Sequence, residues 1–458
     1  MSITHSQQET VVDLDLAESI VRQAIAQGAD EAEVLLTQGA DFRVVVRKGV
    51  VERLTESQPH ALSLRVYKNK RGAVTYTSDL NRDGLSKLVN DALDLADISD
   101  PDPYAGLPDP ADLAANFATN LNLYDPTVGD LPPDMRIELA KRAEEAAFAD
   151  PRITNSNSAS FGTNLYAVGL VNSLGFAGSY KGSYCSLSMA ALAEGEDGKM
   201  QTDGWGSRDH FFKNLEKAED IGKKAAERTI RQLGARKVPT KRVPIVWEKE
   251  VAADFIGELA GAVSGVALYR RNSFLLDWEG QQVGSDLLTI VDDPLRPGLM
   301  GSRPFDGEGI ASRRNAVFTK GVFDQFLFNT YAARKTNRRS TGSAAAAIGS
   351  FPKVGVSNFY LEAGQTSFEE IVGGVQDGLY LTGLMGFGVN YVTGDLSQGA
   401  VGLWIENGQI SYPVSEINIS GNIKDMLKNL VQVGNDLEFR SSIAAPTIRI
   451  DGMMVSGL

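Results

Sequence analysis

Residues 251–266 read VAADFIGELAGAVSGV. Apolar side chains return at Val251, Phe255, Leu259, Val263 and Val266, the spacing of a helix with one face to bury. The whole stretch therefore predicts an amphipathic helix. On it stands Gly257-Glu258-Leu259-Ala260-Gly261-Ala262. A zinc-hydrolase helix places two imidazoles about one turn apart, with a glutamate beside the first. Here Glu258 is present and neither imidazole is.

Outward from this helix the chain reads as α+β. Residues 243–247 predict a strand just before it. After it the chain becomes β-rich and Gly-rich, with hairpin turns at Lys320-Gly321 and Asn407-Gly408. Asn-Gly supplies the two positive φ angles of a type I′ turn. Toward the N-terminus, residues 13–27 and 85–96 predict helices. Between them, strands 42–46 and 50–54, then 61–67 and 73–77, predict a four-strand antiparallel sheet. Seven prolines between residues 99 and 134 mark a connector, whose Leu121, Leu123 and Tyr124 are suited to dock on a neighbour. Residues 135–148 and 215–233 predict further helices, and 153–192 a meander of short strands punctuated by Gly and Ser. The expected architecture is α+β, with N-terminal helices packed on antiparallel sheets followed by a β-rich, Gly-rich C-terminal domain. Its expected parts are an N-terminal subdomain (1–110), a central subdomain (111–238) and the C-terminal domain (239–458).

Composition narrows the functional classes. The chain has 458 residues, 43% hydrophobic and 22% charged, enough to bury a large core without cross-links. Its single cysteine, Cys185, excludes an internal disulfide. The opening MSITHSQQET lacks the basic and apolar regions of a signal peptide, and no apolar run reaches membrane-spanning length. The expected location is the cytoplasm. A net charge of −13 repels nucleic acid on average. The nearest basic run, Arg334–Arg339 (RKTNRR), reads as a solvated helix end.

Several motifs appear in a fixed order. They are Tyr269-Arg270-Arg271-Asn272-Ser273-Phe274-Leu275-Leu276-Asp277, Arg303-Pro304-Phe305-Asp306-Gly307-Glu308-Gly309, Tyr331-Ala332-Ala333-Arg334-Lys335 and Arg339-Ser340-Thr341-Gly342. Then come Thr393-Gly394-Asp395-Leu396-Ser397, Trp404-Ile405-Glu406-Asn407-Gly408, Tyr412-Pro413-Val414-Ser415-Glu416, Gly421-Asn422-Ile423-Lys424-Asp425-Met426 and Val433-Gly434-Asn435-Asp436. In this order they resemble the TldD/PmbA family, and within it the PmbA branch, also called TldE. In that family the TldD-type subunit carries H-E-x-x-x-H and a later Cys that hold zinc. The resemblance sets that motif on residues 257–262: Glu258 matches, while Gly257 and Ala262 stand at the histidine positions. It would set the Cys within residues 433–442, which contain none. The resemblance thus implies a non-catalytic TldE-type subunit without a cofactor of its own. Its partner would be a zinc-bearing TldD-type subunit, in a heterodimeric peptidase that cleaves unstructured peptides such as leader peptides. A second copy of the chain is the alternative partner when that subunit is absent. Glycine-rich surfaces of the C-terminal half are the expected interface.

The histidines, His5, His60 and His210, are scattered. Cys185 lies in an alternating segment, as a small buried side chain does. There is no G-x-S-x-G elbow. Gly383, Gly386 and Gly388 precede a strand-like 389–392 rather than a helix, so they form a tight turn and not a phosphate cradle. Four carboxylates, Glu258, Asp306, Glu308 and Asp395, are candidates to line a peptide cleft. For the last three, capping of local turns is the competing role. Gly-rich strand edges would let an extended peptide pair through its backbone. Two rival functions stay open: a hydrolase active on its own through Glu258 and Asp306, and a peptide-binding scaffold without a protease partner.

Overall fold

Residues 31–47 form one long strand at the centre of the largest sheet, paired with three others. The computed structural model describes residues 11–196, 198–386 and 388–457. His5 and Phe387 lie outside the described residues, as does most of the opening segment. In chain order the first half comprises α1 (Leu14–Ala26), β1 (Glu31–Arg47), β2 (Val50–Ser57), β3 (His60–Lys68), β4 (Arg71–Thr77) and α2 (Arg82–Ile98). There follow α3 (Thr127–Asp130), α4 (Pro133–Phe148), β5 (Ile153–Asn172), β6 (Ala177–Glu194), β7 (Met200–Asp209) and α5 (Ala218–Ile230). Asp13 and Asn81 cap α1 and α2, accepting from Leu16 N at 2.9 Å and Gly84 N at 2.8 Å.

All seven strands join one sheet in the order β4-β3-β1-β5-β6-β7, with β2 beside β1. The expected four-strand sheet is thus part of a larger one. Residues 153–192 correct the expected meander: they form two long strands of 20 and 18 residues paired in one hairpin. Their Gly and Ser residues sit in the ladder instead of breaking it, because many face the open side of the sheet.

Strand partners share a face, so Val34, Leu64 and Val171 point together, as do Val44, Phe161 and Leu187. This face carries α1 and α2 at one end and α4 and α5 at the other. Gly222 lets α5 touch the backbone of α4: a Cβ there would stand 2.1 Å from the carbonyl oxygen of Ala143. The opposite face is only half covered, by Phe176 and Phe305 over Leu35 and Leu170.

The second half comprises β8 (Lys241–Trp247), α6 (Lys249–Ala262), α7 (Gly265–Tyr269), β9 (Ile290–Asp292), β10 (Asn315–Thr319), β11 (Val322–Phe323) and α8 (Thr330–Lys335). Then come β12 (Ala344–Ala345), β13 (Lys353–Val354), β14 (Phe359–Leu361), α9 (Phe368–Gly373), β15 (Asp377–Met385), β16 (Asp395–Glu406) and β17 (Gln409–Asn422). The chain closes with α10 (Ile423–Lys428), β18 (Leu430–Val433), β19 (Ile443–Ala444) and β20 (Ile448–Ser456). One sheet runs β17-β16-β15-β8-β20-β18, and an added β17–β20 pairing closes five of these strands into a ring. A second sheet runs β11-β10-β9-β14-β19. The Lys320-Gly321 and Asn407-Gly408 turns form as read, with φ of 48° and 81°, and 52° and 75°.

Three further expectations are corrected. The helix over 251–266 stops at Ala262, and Ser264 caps a second one, its Oγ accepting from Val266 N at 3.2 Å. Leu327 holds the break open by pairing with the carbonyl of Val263 and the N–H of Gly265, at 2.8 and 2.7 Å. Residues 389–392 form no strand; the Asn390 side chain accepts from Val392 N and Thr393 N and turns the chain. The basic run after Tyr331 is not a free solvated end. Arg334 donates to the Tyr104 and Leu107 carbonyls, Arg338 pairs with Glu279, and Arg339 pairs with Asp112. The Arg334 and Arg339 contacts staple the proline-rich connector, whose Leu121 and Leu123 are buried, to the second half. No helix among the described residues is long and apolar enough to cross a membrane.

Candidate functional site on helix α6

Helix α6 leaves β8 directly, and its entry is fixed by a buried anion. Glu248 accepts from Arg228, Arg231 and the Tyr380 hydroxyl at 2.8–3.0 Å. Burial alone would raise the Glu248 pKa, but the Arg231 hydrogen bonds and the two arginine charges outweigh it and hold the carboxylate ionised. The inner face of α6 buries Val251, Ala252, Phe255, Ile256, Leu259 and Ala262. Trp247 and Phe255 meet with ring centroids 5.2 Å apart. Full burial of side chains this large contributes roughly 1.5–3 kcal/mol each.

The outer face presents Asp254, Gly257, Glu258 and Gly261. Glu258 is half-buried and accepts from the Tyr391 hydroxyl. Burial, then this hydrogen bond, pushes the Tyr391 pKa upward. Asp254 is also pushed upward, by burial first and by the Glu258 charge second. Gly257 faces β19: a Cβ there would lie 3.4 Å from Ile443 Cδ1. Gly261 faces the Tyr391 ring at 3.1 Å by the same measure. Ala262 points the other way, into the core at 0% exposure.

This donor set does not fit zinc. It offers two carboxylates and a phenol already bonded to one of them, with no imidazole or thiolate. Among the described residues no three His, Cys, Asp or Glu side chains are grouped to hold a metal. His60 binds the Ser78 carbonyl at the surface, and His210 is buried between the carbonyls of Ser183 and Leu299. The Cys185 thiol is buried and pushed up to about 12 by burial and by Asp209. No chemical step is therefore routed through a metal on this chain.

The other three candidate carboxylates stand apart from Glu258. Asp306 is 1% exposed and accepts from the N–H groups of Glu308, Ile310 and Ala344 at 2.9–3.0 Å. Glu308 is 3% exposed and holds Thr330 N and Oγ1 at 2.8 and 2.7 Å. Both organise loops inside the protein and neither opens onto a cleft. Asp395 is exposed, and binds Thr393 Oγ1 at 2.7 Å and Asn422 Nδ2 at 2.9 Å. Those hydrogen bonds lower its pKa, with the Thr393 bond the larger cause. Sequence reading missed the company Asp306 and Glu308 keep. Glu33 and Arg65, a buried ion pair from β1 and β3, lie close by: the charges of Glu308 and Asp306 act on Glu33, and that of Glu308 acts on Arg65. Alternation gave no signal of it, because Glu33 and Arg65 stand on the strand face opposite Val34 and Leu64.

Three consecutive family models match this chain. They are the PmbA/TldA metallopeptidase domain 1 (residues 32–96), central domain (126–233) and C-terminal domain (240–457). The architecture is thus that of a metallopeptidase family. The chain is 38% identical over 445 residues to Metalloprotease PmbA of Escherichia coli O157:H7, covering 97% of this chain and 96% of that one. It is 35% identical over 453 residues to a Metalloprotease PmbA homolog of Haemophilus influenzae, covering 97% and 98%. This chain belongs to the PmbA/TldE family. Its fold superimposes on a Bacteroides thetaiotaomicron protein named a candidate modulator of DNA gyrase, with TM-score 0.90, 32% identity, and 97% and 98% coverage. TldE from Thermococcus kodakarensis shares the fold at TM-score 0.84 and 20% identity, with 96% and 100% coverage.

Proposed function

We propose that this chain is a non-catalytic, TldE-type subunit of a heterodimeric cytoplasmic peptidase whose TldD-type partner carries the zinc. What supports this is the chemistry of α6. The outer face keeps Glu258, while the two positions where the resemblance sets metal-binding histidines hold Gly257 and the core-facing Ala262, neither of them a donor. A lone carboxylate without a metal to acidify water is a poor hydrolase. The chain would complete the cleft and hold an unstructured peptide while the partner's metal activates the attacking water.

The test is cleavage of a flexible, unstructured peptide by the purified chain supplied with zinc, alone and with a TldD-type subunit. No cleavage alone, and chelator-sensitive cleavage with the partner, is the expected result. Cleavage by the chain alone that disappears in Glu258→Gln would overturn the proposal and place the active site here.

A further inference from the structure

The helix-free face of the large sheet ends in an uncovered groove of about 430 Å³. Its floor is set by strand register. Arg43 of β1 pairs with Gly162 of β5, Gly162 with Ser186 of β6, and Ser186 with Arg208 of β7. Partners in a ladder share a face, so these four residues form one row across the sheet. The next row adds Ser160, Ser188 and Gly206. The floor between the two arginines is therefore small, polar and flat.

The charge is where a ligand would need it. Arg43 and Arg208 are exposed, and neither has an ion pair or hydrogen bond to a carboxylate among the described residues. Arg208 leans on the Tyr184 ring, 5.4 Å from its centroid. Three strand spacings separate the two arginines, about 14 Å. Alternate side chains of an extended peptide lie about 7 Å apart on one face, so carboxylates two such steps apart match that span. Asp41, whose carboxylate accepts from Asn164, lines one end and makes that end the less favourable for an anion. Two unpaired guanidinium groups on a chain of net charge −13 form a local reversal of sign.

The groove also adjoins α6. Arg440 lines its rim, donating to the Gly206 carbonyl and pairing with Glu216 and Glu438. Glu438 in turn binds Lys249, at the start of α6. Three residues after Arg440, Ile443 packs beside Gly257. A span of three residues reaches at most about 10 Å. One short segment thus runs from the groove to the candidate site.

We infer that this groove binds an acidic stretch of an extended peptide, with Arg43 and Arg208 as its carboxylate receptors. The inference deepens the reading of the chain as a peptide-handling subunit and rests on it for the peptide. Binding itself needs no partner, so it is measured on the chain alone. Fluorescence anisotropy would compare a flexible Gly/Ser peptide bearing Glu at alternate positions with the same peptide bearing Gln. The expected result is salt-sensitive binding of the Glu peptide, and affinity at least about tenfold weaker for the Gln peptide. Arg43→Gln and Arg208→Gln should each weaken the Glu peptide about tenfold, with unchanged thermal unfolding. Ser186→Glu, which puts a negative charge on the floor, should abolish binding. Equal binding of both peptides, indifference to the arginine substitutions, or stronger binding of single-stranded DNA than of the Glu peptide would each overturn the inference. Acidic-peptide binding that persists while no partner-dependent cleavage is found would sink the peptidase reading alone.

Discussion

Two groups of carboxylates in this protein behave in opposite ways. Asp306, Glu308 and Glu33 are sealed between the large sheet and the second half; main-chain N–H groups bind the first two, and Arg65 binds one oxygen of Glu33. Glu258 stands half-buried on the outer face of α6 with one tyrosine donor. The first group joins two halves of the molecule; the second is available to a substrate or partner. A carboxylate's role here is decided by how deeply the tertiary structure buries it, not by the glycine-rich look of its loop. Asp306 lies among Pro304, Gly307 and Gly309, as a cleft residue would, and is nevertheless interior.

That contrast is open to measurement. The largest effect should come from the joint: Arg65→Ala leaves Glu33 buried without its partner, and should destabilise the fold by about 3–5 kcal/mol in urea unfolding. A loss below about 1 kcal/mol would mean the joint does not hold the halves together.

The next effect is a pH dependence. Burial, which outweighs the Arg65 charge, raises Glu33 to about 7. Burial and the Glu308 charge raise Asp306 to about 6. In the unfolded chain both titrate near the ordinary carboxylate range of about 4. Between those limits the folded state holds more protons than the unfolded one. The stabilisation is therefore complete below about pH 4 and lost as pH rises through 6 to 7. The stability difference between wild type and Glu33→Gln should accordingly be larger at pH 5 than at pH 7.5. A difference independent of pH would show that Glu33 does not titrate in this window.

The smallest effect belongs to the open site. Tyr391→Phe removes one hydrogen bond from Glu258 and should lower stability by about 1 kcal/mol, a tertiary contact on the same scale as any other. A loss approaching that of Arg65→Ala would put Glu258 in the same structural class as Asp306 and erase the contrast.

How much of this was legible can be followed residue by residue. Helix α6, both positive-φ hairpins and the capped helices of the first half were readable because local spacing and turn chemistry dictate them. The end of α6 was misread because Val263 and Val266 continue the apolar spacing. Only Leu327, more than sixty positions on, supplies the pairing that breaks the helix. The 153–192 hairpin was read as fragments because Gly162 and Ser186 look like turn formers in sequence and become ladder residues once β1 and β7 flank them. The groove was invisible for the same reason: Arg43, Gly162, Ser186 and Arg208 span 165 positions of chain between first and last.

The sequence by itself determined the main helices of the first half, the body of α6, where two turns reverse, and that α6 carries a glutamate without imidazole or thiolate. Those properties depend on side-chain periodicity and chemistry within one or two turns of chain. Only the tertiary structure decided that Asp306 and Glu308 are interior, that Glu33 meets Arg65 beside them, and that one half of a sheet face stays uncovered. Alternation along a strand sorts side chains onto two faces, but it carries no information about which distant segment covers either one.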